Sequence, residues 1–182
     1  AAAGESAETE DAQRRWAVDL ATRASSLLRG PHEADGVRLV RPEDANLADV
    51  LRQVLAAGDA AAAVVLGGAL GRYWTIVGDH QRVISVVAAV EGVLADWEPP
   101  PHLLDPTREV LATLSTHAVL FGAAESSVSV DRLAQLGAGG ADDRVSAQVR
   151  VGLALAGRSD TPAALTARVG GPRRPARAPA AG

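Results

Sequence analysis

The sequence of 182 residues contains no cysteine, no methionine and no lysine, so all 18 of its basic residues are arginines. Without cysteine the chain has no thiol nucleophile, no disulfide and no cysteine ligand for zinc. Without lysine it has no phosphate-binding P-loop, because that loop uses a lysine to reach the phosphates. These absences exclude thiol catalysis and P-loop nucleotide hydrolysis by this chain.

Long apolar runs are absent as well. The longest stretches without a formal charge, residues 60–71 and 110–124, are shorter than the roughly 20 apolar residues of a membrane-spanning helix. Residues 1–11 are small and acidic, which is unlike a secretory signal. The net charge of −4 gives no general attraction to phosphate backbones. We therefore expect a cytoplasmic protein that contacts no membrane and does not bind nucleic acid directly.

Strand signals are scarce, whereas apolar residues recur at the three- and four-residue steps of amphipathic helices. A short extended piece is expected only at Val37, Leu39 and Val40, in a loop that ends at Pro42. The sequence therefore predicts an all-α protein. The predicted helices cover about residues 8–29, 43–57, 60–77, 80–97, 106–121, 122–136, 142–157 and 161–169.

Turn residues separate these helices. Glycine followed by aspartate, at residues 58–59 and 78–79, predicts that one helix ends and the next is capped. Asp105 and Pro106 predict another capped start. Short connections of this kind predict stacked antiparallel hairpins that form a tetratricopeptide-like solenoid.

The spacing of the inter-helix glycines gives weak support for a repeat. The interval of 35 residues between Gly122 and Gly157 is close to the roughly 34 residues of a tetratricopeptide helix pair. The preceding interval, from Gly78 to Gly122, is longer, at 44 residues. The predicted organisation is a helical part at 1–98, a proline-rich linker at 99–105, helical hairpins at 106–169 and a disordered tail at 170–182.

The four histidines, His32, His80, His102 and His117, include no pair at i,i+4 and no HExxH motif, so a zinc site on one helix has no support. Only His117 borders an apolar stripe. We favour a hydrogen-bonded core or boundary histidine there over catalysis or metal ligation. No serine lies in a GxSxG motif, and the carboxylates at helix starts complement helix dipoles rather than form an acid and base pair. We expect no enzymatic activity and no cofactor.

Three further features have a structural and a functional interpretation. The glycines at 67, 68 and 71 favour close helix packing over phosphate binding, because they lie inside a helical pattern. For Tyr73 and Trp74 we favour the role of a buried anchor between helices over contact with a ligand or partner. The arginines between 168 and 177 favour a solvated linker over contact with nucleic acid or an acidic partner.

One region resembles a known family. Residues 43–51, with Glu43, Asn46 and Leu47, are followed by a Gly-Asp pair and then by Leu70-Gly-Arg-Tyr73-Trp74 and Gly78. This order is similar to the E-x-x-N-L … G-D … L-x-x-[FY]-W-x-x-x-G region of large bacterial transcriptional regulators, the STAND-type signalling ATPases of the antibiotic-regulator and LuxR-like kinds. The resemblance covers residues 12–94 well and 106–169 loosely. Arg82, Val83, Val86 and Val87 stand where the family commonly has Glu-Gly and Trp-Leu.

The resemblance implies a regulatory helical arm that follows the nucleotide-binding module of such a regulator. Its expected partners are a protein or small-molecule effector and the neighbouring ATPase module of the same polypeptide. For Glu43 and Asn46 we favour a structural role near a helix start, and ligand contact is the other interpretation. A stand-alone helical scaffold that binds a protein is the alternative function, and an α-helical enzyme is the third.

Overall fold

The structure is a computed structural model that describes residues 2–121, 127–139 and 143–157. All regular secondary structure within these ranges is helical, which confirms the predicted all-α class. Two short 3-10 helices, Arg41–Glu43 and Pro101–Leu103, precede α-helices. The α-helices are α1 (Ala2–Leu28), α2 (Glu33–Val40), α3 (Asp44–Ala56), α4 (Ala60–Val77), α5 (His80–Leu94), α6 (Leu104–Leu120), α7 (Ser127–Leu136) and α8 (Asp143–Leu155).

The extended piece predicted at Val37, Leu39 and Val40 is wrong, because these residues lie in the second half of the helix α2. Gly36 is buried in the middle of α2 and lets this helix lie directly against Leu28 of α1. Val40 is fully buried in the same contact region. Tertiary packing of the apolar face therefore overrides the weak strand preference of the two valines.

Several predicted helix boundaries also differ from the structure. Helix α1 begins at Ala2, earlier than predicted, and α5 ends at Leu94, before the prolines. Helix α6 begins at Leu104, so Asp105 lies inside its first turn and is not its cap. The predicted helix at 161–169, the tail at 170–182 and the arginine cluster lie outside the described residues.

At the two predicted Gly-Asp boundaries, residues 58–59 and 78–79, the glycines have the same conformation, but only one of the aspartates caps the helix that follows. Gly58 and Gly78 have φ angles of 70° and 80°, the left-handed conformation that ends a helix. Asp59 caps α4 by accepting a hydrogen bond from the Ala62 amide at 3.1 Å. Asp79 makes no such bond at the start of α5, so the capping predicted there is wrong.

Helix α4 lies at the centre of the fold, in contact with α1, α3, α5 and α6. Its large side chains, including Leu66, Leu70 and Trp74, are almost completely buried. Among the described helices, α4 alone is long and apolar enough to cross a membrane, but 56% of it is buried inside the fold. Burial against four neighbouring helices accounts for its apolar composition.

Helices α1, α4 and α6 run parallel to one another. Arg14 of α1 contacts Asp59 at one end of α4, and Arg72, further along α4, donates to the Leu28 carbonyl, at intervals of 45 and 44 residues. Thr75 near the end of α4 lies beside His117 of α6, 42 residues later. These intervals are longer than the roughly 34 residues of a tetratricopeptide pair.

The glycines of α4 allow close packing against α6, in agreement with their favoured interpretation. A Cβ atom at Gly68 would lie 3.4 Å from Val110, and one at Gly71 would lie 3.8 Å from Thr113. One apolar cluster extends from Ala17 in α1 to Val149 in α8. The helices before and after the proline-rich segment therefore share a core.

Candidate functional site

The residues of the family-like motif lie mainly in the core. Leu47, Tyr73 and Trp74 are at most 5% exposed, and Gly78 ends α4. The buried-anchor interpretation of Tyr73 and Trp74 therefore agrees with their placement. These buried side chains belong to the core of the fold.

The indole of Trp74 is held by two residues on neighbouring helices. Its Nε1–H donates to Asp44 Oδ1 at 2.9 Å. Arg82 of α5 forms an ion pair with the other Asp44 oxygen and lies over the Trp74 ring, 4.5 Å from its centroid. Arg82, which departs from the family pattern, thus joins α3, α4 and α5. Sequence reasoning missed Asp44, although a buried indole N–H needs an acceptor.

Glu43 and Asn46 form a local pair at the start of α3. Asn46 Nδ2 donates to Glu43 Oε2 at 2.7 Å. Asn46 is exposed and Glu43 is half-buried. Neither residue reaches the groove described below, and their contact fits the structural interpretation of the motif.

A groove of about 720 Å³ lies between α1, α4 and the first turns of α6. Its floor is mainly apolar, and hydroxyl groups of Thr22, Ser25 and Ser26 line the α1 side. Five residues of α4 line the groove, and three of them, Ala61, Val65 and Gly68, follow at steps of four and three on one face of the helix. The apolar floor is formed by Val18, Ala61, Ala62, Val64, Val65, Gly68, Leu103 and Pro106.

Ion pairs mark both ends of this groove. At one end, Arg14 bridges Asp11 at 2.5 Å and Asp59 at 2.7 Å. The hydrogen bond from Arg14 lowers the pKa of Asp11, and the same contacts raise the pKa of Arg14. Asp11 therefore stays ionised to a lower pH than a free aspartate, and Arg14 stays protonated to a higher pH than a free arginine.

At the other end, Glu109 of α6 is only 8% exposed and faces two arginines. Arg29, which directly follows α1, lies 3.0 Å from it, and Arg72 of α4 lies 3.7 Å from it. Arg72 also donates to the Leu28 carbonyl at 2.8 Å. One buried carboxylate thereby connects the three parallel helices that form the groove.

The sequence contained only a faint signal of this groove. Ala61, Val65 and Gly68 are small or apolar residues on the side of α4 opposite its buried stripe. Such residues predict helix packing as readily as a binding surface. Whether these residues form a packing face or a binding surface depends on how α1, α4 and α6 lie relative to one another. Local sequence patterns do not encode that arrangement.

Two histidines from different helices also come together. His117 is 5% exposed, as expected for a core or boundary histidine, and its Nε2 atom lies 3.2 Å from Nδ1 of His80. The two residues are 37 positions apart, so no local spacing rule could have paired them. Within the described ranges, no three histidine, aspartate or glutamate residues form a cluster suited to a metal ion.

No protein-family model, no curated protein and no solved structure matches this chain.

Proposed function

We propose that this chain is a helical binding module whose groove between α1, α4 and α6 holds an effector. We further propose that it acts as the regulatory arm of a bacterial multidomain transcription regulator. The groove is the observation that supports the first of these two proposals. It combines an apolar floor, hydroxyl groups on one wall and fixed charges at both ends.

The proposed architecture is a two-layered helical stack. In it α1, α4 and α6 form an inner row, and α3 and α5 pack behind them as antiparallel partners of α4. The contacts of α4 with α1 and α6 on one side and with α3 and α5 on the other support this arrangement. Stacks of this kind present their inner row as an extended binding face.

The size of the groove favours a small organic effector. Sites for such ligands are clefts of about 300–1,000 Å³, lined mainly by apolar groups with a few well-placed polar ones. A volume of about 720 Å³ lies within this range. A ligand there contacts three helices at once, so its affinity depends on how closely they approach. A ligand that prefers one spacing of the helices can bias the arrangement of neighbouring domains.

The regulatory part of the proposal rests on the resemblance to STAND-type regulators and has its own test. The test is to determine the natural coding sequence upstream of residue 1. We expect a G-x-x-x-x-G-K-[ST] motif within roughly 300 residues, the length of about two domains. An upstream region without a nucleotide-binding motif would remove the regulatory role and favour an autonomous binding scaffold.

Filling the groove should abolish effector binding without unfolding the protein. Ala61 is exposed on the groove face of α4, and an Ala61→Trp substitution places an indole over the apolar floor. Compounds of drug size can be screened by their effect on the Tm of the wild-type protein. We expect compounds that raise its Tm by at least about 3 °C to have no effect on Ala61→Trp.

Ala89→Trp is the matched control, because Ala89 is exposed on α5 and lies outside the groove. This variant should respond to the same compounds as the wild-type protein. Compounds that raise the Tm of all three proteins equally would show that they bind elsewhere. A screen with no groove-dependent compound would count against a small organic effector.

A further inference from the structure

His80 and His117 are placed on adjacent helix ends. His80 is the first residue of α5, and His117 lies in the last turn of α6. His80 Nδ1 and His117 Nε2 face each other at 3.2 Å. His117 is buried and His80 is half-buried, so the pair lies at the boundary between the core and the solvent.

The second ring nitrogen of His117 fixes which atom faces His80. His117 Nδ1 lies 2.8 Å from the Thr113 carbonyl oxygen and donates its proton there. In the neutral ring this leaves a lone pair on Nε2, directed at His80. A histidine that binds a metal is oriented in the same way, with its other N–H donated to a carbonyl or carboxylate.

The distance between the two nitrogens suits a shared metal ion. Two metal–nitrogen bonds of about 2.05 Å at a tetrahedral angle place the nitrogens roughly 3.3 Å apart. The observed 3.2 Å is close to this value. The hydroxyl oxygen of Thr75, which donates to the Gly71 carbonyl at 2.7 Å, lies 3.4 Å from His117 Nε2.

A third side chain holds the rings in place. The ring of Phe121 is stacked on His80, with centroids 4.9 Å apart, and it lies 5.8 Å from the centroid of His117. Stacking restricts rotation of His80 and covers one side of the pair. The two rings are therefore restrained before any ion binds, which lowers the entropic cost of binding. A bound ion takes the place of the proton shared by the two nitrogens, and this proton leaves His80 Nδ1 when the ion binds.

We infer that His80 and His117 together form a binding site for a divalent transition-metal ion, with water as the remaining ligands. Imidazole nitrogen is a ligand suited to Zn²⁺, Cu²⁺ and Ni²⁺, whereas Mg²⁺ and Ca²⁺ prefer oxygen. A bound ion cross-links the start of α5 to the end of α6. This site is separate from the groove, because neither histidine lines it.

Zn²⁺ alone is the probe for this site. Isothermal titration calorimetry of the wild-type protein should show one Zn²⁺ per chain. At a free Zn²⁺ concentration 100 times the Kd, the Tm should rise by about 5 °C. His80→Asn should weaken Zn²⁺ binding at least tenfold and remove the rise in Tm. The asparagine amide can still donate to His117 Nε2, so this variant keeps the hydrogen bond and removes the ligand.

His102→Ala is the control, because His102 is exposed and lies apart from the pair. It should bind Zn²⁺ as the wild-type protein does. Circular dichroism with EDTA present establishes whether each variant is folded, and His80→Ala replaces His80→Asn if the latter is not. Equal Zn²⁺ binding by the wild-type protein and a folded His80 variant would overturn the inference. Absence of Zn²⁺ binding by the wild-type protein would also overturn it and leave a histidine pair that shares only a proton.

Discussion

Replacing Trp74 with alanine is expected to lower the free energy of unfolding by about 4 kcal/mol. Trp74 is 2% exposed at the centre of the fold, where α4 meets α3 and α5. The substitution removes a large apolar surface and leaves a cavity that the surrounding helices cannot fill. It also removes the indole N–H from Asp44 and the ring over which Arg82 lies. Urea unfolding followed by circular dichroism measures the change.

Trp16→Ala is the matched control for this substitution. Trp16 has the same side chain but is 37% exposed on α1. Its loss should cost about 1 kcal/mol, because much of its ring is already in contact with water. Equal effects of the two substitutions would contradict the central position of Trp74 in the core.

Adding a single methyl group at Gly36 is expected to destabilise the protein, whereas the same change at Gly92 should stabilise it. Both glycines lie inside helices, so alanine gains about 0.5–1 kcal/mol of helix propensity at either position. A Cβ at Gly36 would lie 2.9 Å from Leu28 Cγ and 3.0 Å from the Leu28 backbone nitrogen. Helix α2 must then move away from α1, and we expect a net loss of about 2 kcal/mol for Gly36→Ala.

Beyond its chain neighbours and its own helix backbone, no atom of the described residues lies within 4 Å of the position that a Gly92 Cβ would occupy. Gly92→Ala should therefore raise the free energy of unfolding by up to about 1 kcal/mol. Thermal unfolding of the two variants in parallel measures the difference between them. If Gly36→Ala were as stable as Gly92→Ala, the close approach of α2 to α1 would be wrong.

Local chemistry explains why most helices were predictable. Gly58 and Gly78 end α3 and α4 because a left-handed residue interrupts the helical hydrogen bonds wherever it occurs. The four-residue steps of Leu66, Leu70 and Trp74 identified the buried face of α4 for a similar reason. These signals involve residues within a turn or two of each other, so the sequence alone carries them.

Helix α2 was mispredicted because its packing depends on a residue of another helix, and the three- and four-residue steps within one helix do not report such a contact. A glycine is needed at position 36 because Leu28 on the neighbouring helix lies directly against it. The same limit applies to the groove and to the histidine pair. Arg29 and Glu109 are 80 residues apart, and His80 and His117 are 37 apart. Neither distance is encoded by a periodic pattern, so both contacts appear only when the helices are assembled.

Because α1, α4 and α6 are parallel, the contacts between them close longer loops, and their formation costs more chain entropy, than the contacts within the helical hairpins. The contacts of Arg14 with Asp59, of Arg72 with the Leu28 carbonyl and of Thr75 with His117 close loops of 42 to 45 residues. The hairpins of α4 with α3 and α5 instead turn over a few residues around Gly58 and Gly78. Loop closure costs more for longer loops, and contacts between distant residues form late for that reason. The walls of the groove therefore depend on contacts that close longer loops than the hairpins do, and a ligand that binds there selects molecules in which those loops have closed.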